Sequence, residues 1–311
     1  MNASERSVLA VRQGLRFLRD NQLPYGEFRT YASPSIDMRR TYFDSSIFTT
    51  TFVLHSIAHI DHPYVIAMVN KGISFLTKEM CDLGLFQYFT SKNARSIDFD
   101  LDCTACASVA LQRRHPFITR GYNVRYFVEN RNESGLFYTW VGNAALAKNV
   151  DSVVNANVVL YLGDREETKR ACQHLVDTIK SGHESESYQY YLDNIALYYA
   201  VSRAYARGIS SLSEAREAVI EKVLQSSKDD GSFGNELTTA CAVCSLANLE
   251  YDGITRLRDA ARYLEEQQRA DGSWQRAPMW KAMFRGSSLY FGSEELTTAL
   301  CLEALTHVAV R

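Results

Sequence analysis

Hydrophobic positions recur along the chain with the period of an α-helix, and they form two alternating kinds of segment. One kind is amphipathic and well charged, as in RLRDAARYLEEQQ, so we expect one face of each helix to meet water. These segments lie near 5–21, 64–80, 119–130, 165–180, 212–227 and 254–269. The other kind, as in NANVVLYL, is apolar or small on most sides, which is typical of buried helices. These segments lie near 44–60, 100–113, 151–162, 191–206, 236–249 and 294–309.

A short turn follows the amphipathic segments, with a glycine two residues before an aromatic, as in YGEF, LGLF, SGLF, DGSF and DGSW. A degenerate copy, SGHESESYQYY, falls where the series needs one. The glycines of the series are Gly26, Gly84, Gly135, Gly182, Gly231 and Gly272. Glycine accepts the positive φ that ends a helix, and the aromatic packs the chain back against that helix. Helix pairs repeating in this way predict an all-α fold, an (α/α)6 barrel with inner and outer helix rings, as one domain over 1–311.

Composition narrows the class of protein. Of the 311 residues, 46% are hydrophobic and 23% are charged, as in an ordinary globular protein. A formal net charge of -2 argues against a nucleic-acid binder, which normally carries a basic stripe. The first residues lack the unbroken apolar stretch of a signal peptide, no segment is apolar for long enough to span a membrane, and the cysteines lie within apolar runs. We therefore expect a cytoplasmic protein.

Loop lengths predict which end of the barrel is functional. The loops that lead from outer to inner helices are the longer ones, and long ordered loops usually carry function. The working mouth should therefore lie at the N-terminal ends of the inner helices, where cations and aromatics suit an amphiphile with an anionic head. The predicted substrate-binding residues are Phe48, Trp140, Asn155, Tyr191, Trp280, Arg39, Arg40, Arg95 and Lys281.

Acidic residues recur at the predicted starts of the inner helices, where N-capping and the helix dipole favour them. The set comprises Asp44, Asp100, Asp151, Asp193 and Glu294. Asp102 is not explained in this way, because its counterparts in the other repeats are Ser46, Val153, Ile195, Leu237 and Leu296. It is expected to be the one carboxyl placed a step further into the barrel. Burial would raise its pKa and keep it protonated, as a general acid requires. The alternative is a buried acid satisfied by the backbone or by Thr104.

Two motifs resemble those of a known family. The stretch from Gln268 to Trp274, QRADGSW, resembles the QW repeats of squalene–hopene and oxidosqualene cyclases. The stretch from Asp100 to Ala105, DLDCTA, resembles the D-x-D-D-T-A motif of class II terpene cyclases, with the D-C-T-A of oxidosqualene cyclases at its end. The resemblance implies that Asp102 is the proton donor, with Asp100 and Cys103 as its tuning neighbours.

The resemblance also implies a reaction, in which an alkene or epoxide of a polyprenyl or prenylated substrate is protonated and cyclises through a carbocation. It implies no resident metal, and Mg²⁺ would enter only with a diphosphate substrate. The chain has no room for the second domain of larger family members. We therefore expect its long loops, a second copy of the chain or a partner domain to cover the mouth. An isoprenoid substrate is also compatible with peripheral contact with a membrane.

Two other classes of function stay open. One is an (α/α)6 carbohydrate-active enzyme, in which a pair of carboxylates from Asp44, Asp100, Asp102 and Asp151 would act beside Trp140 and Trp280 as stacking platforms. The other is a non-catalytic toroid that binds a lipid or a protein.

Overall fold

The structure is a computed structural model that describes residues 3–112, 123–142, 149–284 and 286–309. Within these ranges the chain is mainly helical. The helices in chain order are α1 (Ala3–Asn21), α2 (Ile47–Ile57), α3 (Pro63–Glu79), α4 (Leu101–Gln112), α5 (Val124–Glu129), α6 (Ser152–Leu162), α7 (Lys169–Ser181), α8 (Glu184–Ser187), α9 (Asn194–Ala206), α10 (Arg216–Gln225), α11 (Glu236–Asn248), α12 (Ile254–Gln267) and α13 (Glu294–Ala309). Short 3₁₀ helices, Glu166–Thr168 and Ser210–Ala215, lead into α7 and α10.

These helices lie close to the predicted bounds. The predicted outer helix near 119–130 is described only from Val124, because 113–122 lies outside the described residues, as does 143–148 of the predicted loop 138–150. The helix α8 was not predicted, because four residues carry too little periodicity to be recognised.

The apolar helices α2, α4, α6, α9, α11 and α13 form the inner set, and they contact one another in chain order. The last of them, α13, also packs against the first, α2. The amphipathic helices, such as α3, α7 and α12, pack on the outside of this set. In α4 every residue from Leu101 to Leu111 is buried, and its alanines let the neighbouring helices approach closely. Burial on all sides explains why the inner helices lack an amphipathic pattern.

The glycine turns join neighbouring helix pairs. All the glycines of the predicted series have positive φ, between 73° and 108°, which confirms the backbone conformation predicted for them. Three of the turns also press against the next outer helix, because a Cβ on Gly26, Gly231 or Gly272 would lie 2.2 Å from Lys71 O, 2.7 Å from Asp259 O or 2.5 Å from Gln13 O, respectively. Each turn aromatic is buried, and its backbone N–H donates to a side chain of an inner helix at 2.9–3.2 Å. The accepting side chains are Thr50, Thr104, Asn155, Thr239 and Thr298.

A small antiparallel sheet corrects the all-α prediction. Its strands are β1 (Tyr31–Ser33), β2 (Tyr42–Phe43), β3 (Pro278–Phe284) and β4 (Ser287–Gly292), in the spatial order β2-β1-β4-β3. They come from two of the long loops, 28–43 and 275–293, and Ala32 pairs with Phe291 where the two loops meet. The first two strands are too short to show a strand pattern in the sequence.

The side-chain caps correct the alignment of the inner helices. Ser46, Asp151, Asp193 and Asn235 cap α2, α6, α9 and α11, and Asp100 and Ser293 accept backbone N–H groups in the same way at α4 and α13. Asp44 therefore lies two residues before a cap and is not a cap itself. Two residues after each cap the side chains are Phe48, Asp102, Val153, Ile195, Leu237 and Glu295. Asp102 is thus not the one acid at this position, because Glu295 shares it.

Candidate functional site

A cavity of about 110 Å³ lies at the N-terminal ends of the inner helices, the end that the loop lengths predicted. The start of α4, one residue of α2, three outer-to-inner loops and the sheet all contribute to its wall. The lining residues are Phe48, Tyr88, Phe89, Ile97, Asp100, Asp102, Cys103, Thr139, Trp140, Tyr190, Tyr191, Trp280, Lys281, Ala282 and Phe291. The wall is therefore largely aromatic, and carboxyl groups from one helix start lie within it.

The polar edges of the indole rings in this wall are occupied by phenols. Trp140 Nε1 donates to Tyr190 Oη at 2.8 Å, and Trp280 Nε1 donates to Tyr88 Oη at 3.0 Å. Phe48 stands edge-on to Trp280, with ring centroids 4.9 Å apart and an interplanar angle of 86°. Because these indole N–H groups are satisfied within the wall, the rings can offer their faces to a bound ligand, and aromatic faces attract cations.

Asp102 lies in this wall at the first turn of α4, with 7% of its surface exposed. Its Oδ1 accepts from Asn157 Nδ2 at 2.7 Å, and its Oδ2 accepts from the Tyr191 hydroxyl at 2.7 Å. Burial raises the pKa of Asp102 to about 6, against the lowering effect of these two hydrogen bonds. In mildly acidic solution this carboxyl group therefore holds its proton. When it gives up the proton, the two hydrogen bonds stabilise the carboxylate that remains.

Asp100 and Cys103 form the rest of this helix start. Asp100 Oδ1 accepts from the Cys103 backbone N–H at 2.6 Å, whereas Oδ2 has no hydrogen-bond partner within the described part of the chain. Burial and, to a smaller extent, the neighbouring Asp102 charge raise the pKa of Asp100 to about 7, against the lowering effect of the hydrogen bond from Cys103. Burial also raises the pKa of the Cys103 thiol well above its ordinary value, so the thiol stays protonated. Asp100 combines a capping role with a carboxyl that favours its neutral form.

The Tyr190–Tyr191 segment of the wall is held by the carboxylate of Asp151. Oδ1 of Asp151 caps α6, accepting from Val153 and Val154, and Oδ2 accepts the backbone N–H groups of Gln189 and Tyr190 at 2.7 and 3.2 Å. These hydrogen bonds fix the loop from which the Tyr191 hydroxyl reaches Asp102. Asp151 is therefore fully hydrogen-bonded and fixes the loop geometry beside the cavity.

The structure brings together most, but not all, of the predicted site residues. Phe48, Trp140, Tyr191, Trp280 and Lys281 line the cavity, and so do the three predicted catalytic residues, Asp100, Asp102 and Cys103. Asn155 does not, because its amide is occupied in holding the turn, donating to Phe137 O and Asp151 O and accepting from Phe137 N.

The predicted arginines lie outside the wall. Arg95 forms an ion pair with Asp44, and its guanidinium carbon lies 4.4 Å from the ring centroid of the lining residue Phe89. Arg39 is 85% exposed and pairs with Asp37 at 3.2 Å, and Arg40 is exposed. Asp44 and Asp151 are also held by contacts outside the wall, so two of the four acids considered for carbohydrate chemistry, Asp100 and Asp102, line this cavity.

Several site residues were missed in the sequence. Tyr88, Phe89 and Tyr190 lie within the short aromatic-rich strings FQYF and YQYY, of which the first begins on the turn aromatic Phe86 and the second ends the degenerate copy. That clustering was the available signal. Asn157, the hydrogen-bond partner of Asp102, carried no signal, because its role depends on how α6 is rotated against α4.

No group of three or more His, Cys, Asp or Glu side chains in the described ranges is arranged to hold a metal ion. Within the same ranges no helix combines the length and the apolar character needed to cross a membrane.

Comparison with solved structures identifies the fold. The apo structure of the type II terpene cyclase MstE from Scytonema superposes with a TM-score of 0.79 at 16% identity, covering 99% of each chain. A protein from Actinoplanes superposes with a TM-score of 0.77 at 19% identity, over 97% of this chain and 99% of the other. This chain has the fold of a type II terpene cyclase. The ent-copalyl diphosphate synthase from Streptomyces platensis matches with a TM-score of 0.57 at 15% identity, over 85% of this chain and 50% of the synthase.

The match with MstE extends over 99% of each chain, so the shared fold is not confined to one part of either chain. The sequence itself gives no further lead, because no protein-family model matches it and the search of curated proteins returns no match.

Proposed function

We propose that this protein is a class II terpene cyclase-like enzyme, in which the Asp102 carboxyl protonates an alkene or epoxide of a prenylated substrate. The observation that carries the proposal is an acid of raised pKa in the wall of an aromatic cavity. Asp102 is held there by Asn157 and Tyr191 and lies among Phe48, Trp140 and Trp280. The proposed architecture is one (α/α)6 toroid over 1–311, formed by the inner and outer helix sets.

The proposed chemistry uses two properties of the site, the acid of raised pKa and the aromatic wall around it. Asp102 transfers its proton to one carbon of the alkene, or to the epoxide oxygen, and a carbocation forms at the more substituted carbon. The next double bond attacks this cation, forming a carbon–carbon bond and moving the positive charge along the chain, where aromatic faces stabilise it. Loss of a proton from the last cation balances the reaction, so the product is an isomer of the substrate. The apolar wall excludes the water that would otherwise trap the cation.

The substrate class is proposed from the wall and from the structural neighbours. A variant of MstE is described in complex with its substrate, geranylgeranyl dihydroxybenzoate, and another with the product merosterolic acid A. We propose that this chain likewise takes a polyprenyl chain on a head group. Lys281, which lines the cavity from β3, is placed to pair with an anionic head.

The test compares Asp102→Asn with Glu295→Gln, which removes a carboxyl at the equivalent position of another repeat, away from the cavity. Purified variants are assayed with geranylgeranyl dihydroxybenzoate, prenyl diphosphates and prenyl epoxides, and the products are analysed by mass spectrometry. We expect Asp102→Asn to lower turnover by about 10³-fold, in line with the loss of a general acid, and Glu295→Gln to keep turnover within about two-fold of the unmodified protein.

Full activity of Asp102→Asn would show that this carboxyl is not the proton donor. Binding of oligosaccharides with no turnover of isoprenoids would favour a carbohydrate-active enzyme instead. Tight binding of an isoprenoid without any product would favour a non-catalytic lipid-binding protein.

A further inference from the structure

Arg203 of α9 is a buried cation behind the cavity wall, and nothing in the proposed reaction yet uses it. Only 5% of its surface is exposed. In the described ranges it forms no salt bridge, and its Nε has no hydrogen-bond partner. Its guanidinium carbon lies 4.6 Å from the Tyr199 ring centroid and 5.1 Å from that of Phe52. The Cys106 thiol and, further away, the carboxylate of Glu303 also face this charge. Because a buried charge without a salt bridge is costly, its short hydrogen bond to Asn157 indicates its role.

That hydrogen bond connects Arg203 to Asp102 through one side chain. The guanidinium donates from Nη2 to Asn157 Oδ1 at 2.7 Å, and Asn157 Nδ2 donates to Asp102 Oδ1 at 2.7 Å. Arginine can only donate, so it accepts one orientation of the Asn157 amide, with the carbonyl towards itself and the NH₂ towards Asp102. If the Asn157 amide were flipped, its NH₂ group would face the guanidinium of Arg203, and two donors would point at each other.

This fixed amide also determines where the Asp102 proton lies. Oδ1 always accepts from Asn157, whereas the Tyr191 hydroxyl can turn from donor to acceptor, so the proton of the neutral acid is carried by Oδ2, which then donates to Tyr191 Oη. Once the proton has gone, the positive charge behind Asn157 stabilises the carboxylate.

We propose that Arg203 is a positioning residue for Asp102, which orients Asn157 as a permanent donor and stabilises the carboxylate left after proton transfer. This inference rests on the proposed function for its catalytic consequence, but the coupling of Arg203 to Asp102 can be measured without a substrate.

Several groups besides Arg203 face Asp102 and set the background for its titration. Asp100 and Cys106 lie on its own helix or at the start of it, Asp151 caps α6, and Tyr190 and Tyr191 come from the loop before α9. Asp100 and Asp102 titrate close together, so an activity profile reports the pair. A readout specific to Asp102 is therefore needed.

The first measurement is the infrared titration of the full-length protein, in which the carboxylic-acid band that disappears in Asp102→Asn is assigned to Asp102. We expect Arg203→Met to raise the pKa of Asp102 by about one unit, because a nearby opposite charge is lost. Arg203→Lys, which keeps the charge, should restore most of the original value. Arg29→Met is the matched control, since it removes the arginine that pairs with the equivalent acid Glu295, and it should leave the Asp102 band unchanged.

The second measurement applies once a substrate is known. Arg203→Met should lower kcat by about ten-fold with little change in KM, and should move the high-pH limb of the rate profile to higher pH. If Arg203→Met does not fold, Arg203→Gln replaces it, since it retains a donor for Asn157 but no charge, and it should also raise the pKa of Asp102. An unchanged Asp102 band in the folded neutral variant would overturn the inference, and so would an equal shift in Arg29→Met. The proposed function fails separately, if Asp102→Asn remains active.

Discussion

Asp102 and Glu295 occupy the same position in two repeats, two residues after the cap of an inner helix, yet their surroundings differ. Glu295 is 2% exposed and lies 3.4 Å from the guanidinium of Arg29, so an arginine faces it directly. Asp102 meets a phenol and an amide, with its arginine one side chain further away. Both acids have a raised pKa, to about 7 for Glu295 and about 6 for Asp102, mainly because of burial.

The comparison shows that a raised pKa does not by itself make a buried acid a candidate catalyst. What separates the two is access to a ligand. Asp102 lines an aromatic cavity, whereas Glu295 is not among the cavity-lining residues and forms an ion pair with Arg29. Altering both acids in parallel tests this difference.

The largest effect is expected from exchanging the lengths of the two side chains. Asp102→Glu keeps a carboxyl in the cavity but displaces it from Asn157 and Tyr191, and a displacement of about 1 Å lowers turnover by roughly 10²-fold. Glu295→Asp withdraws its carboxylate from Arg29, so we expect it to lower the free energy of unfolding by roughly 1–2 kcal/mol, with little change in turnover per folded molecule. Steady-state assays and urea unfolding of both variants measure this. Equal loss of turnover in the two would remove the distinction between the sites.

A smaller effect concerns the pH dependence of stability. The pKa of Glu295 is raised from 4.5 to about 7 in the folded protein, so the folded state binds its proton more tightly than the unfolded chain does. The stability that this group contributes is present below pH 4.5 and is lost as the pH rises towards 7. Because glutamine cannot ionise, Glu295→Gln should be more stable than the unmodified protein at pH 7.5 by about 2 kcal/mol. Near pH 4 the two should be alike.

Urea unfolding at the two pH values provides the check. A stability difference that is the same at both would mean that Glu295 does not titrate in this range. Turnover of Glu295→Gln should keep the pH profile of the unmodified protein, because the profile is assigned to Asp102 and its neighbour Asp100.

The smallest effect distinguishes the repeat from the site. Thr104 belongs to the acidic motif, but its hydroxyl accepts the N–H of Phe86 in the same way as Thr298 accepts that of Trp274. We therefore expect Thr104→Val and Thr298→Val each to lower the free energy of unfolding by about 1 kcal/mol. Neither should alter the pH profile of turnover. A folded Thr104→Val protein without activity would assign this hydroxyl a part in the chemistry.

Much of the fold could be predicted from the sequence because its signals are local. Glycine turns, buried aromatics and two kinds of helix each leave a pattern within about twenty residues, and the helix bounds follow from them. The helix caps were predicted less accurately. An acid near a helix start, such as Asp44, has the sequence signal of an N-cap, but Ser46 is the residue that caps this helix. The sheet was missed because β1 and β2 are too short to show a strand pattern, and because β1 pairs with β4 from a distant part of the chain.

The candidate site was predicted less completely, for a geometric reason. Asp102 could be singled out along one helix, since its position in the repeat is a property of the sequence. Its partners Asn157 and Tyr191, and Arg203 behind them, lie on other elements, and their contacts depend on the rotation of helices that no periodicity fixes. Asn155 illustrates the same limit. Its amide holds a turn, whereas the amide of Asn157, two residues further along α6, donates to Asp102.

The pairing of β1 with β4 has a consequence for how the protein acquires its shape. The two strands come from opposite ends of the chain, as do Arg29 and Glu295, which are 266 residues apart in sequence. Contacts of such long range form late and slow the folding of a chain. Trp280 and Lys281, on the strand next to β4, reach the cavity wall through this sheet. On a ribosome, the wall would therefore be completed only after β4 has been synthesised, and a shorter nascent chain would carry Asp102 without the full aromatic wall around it.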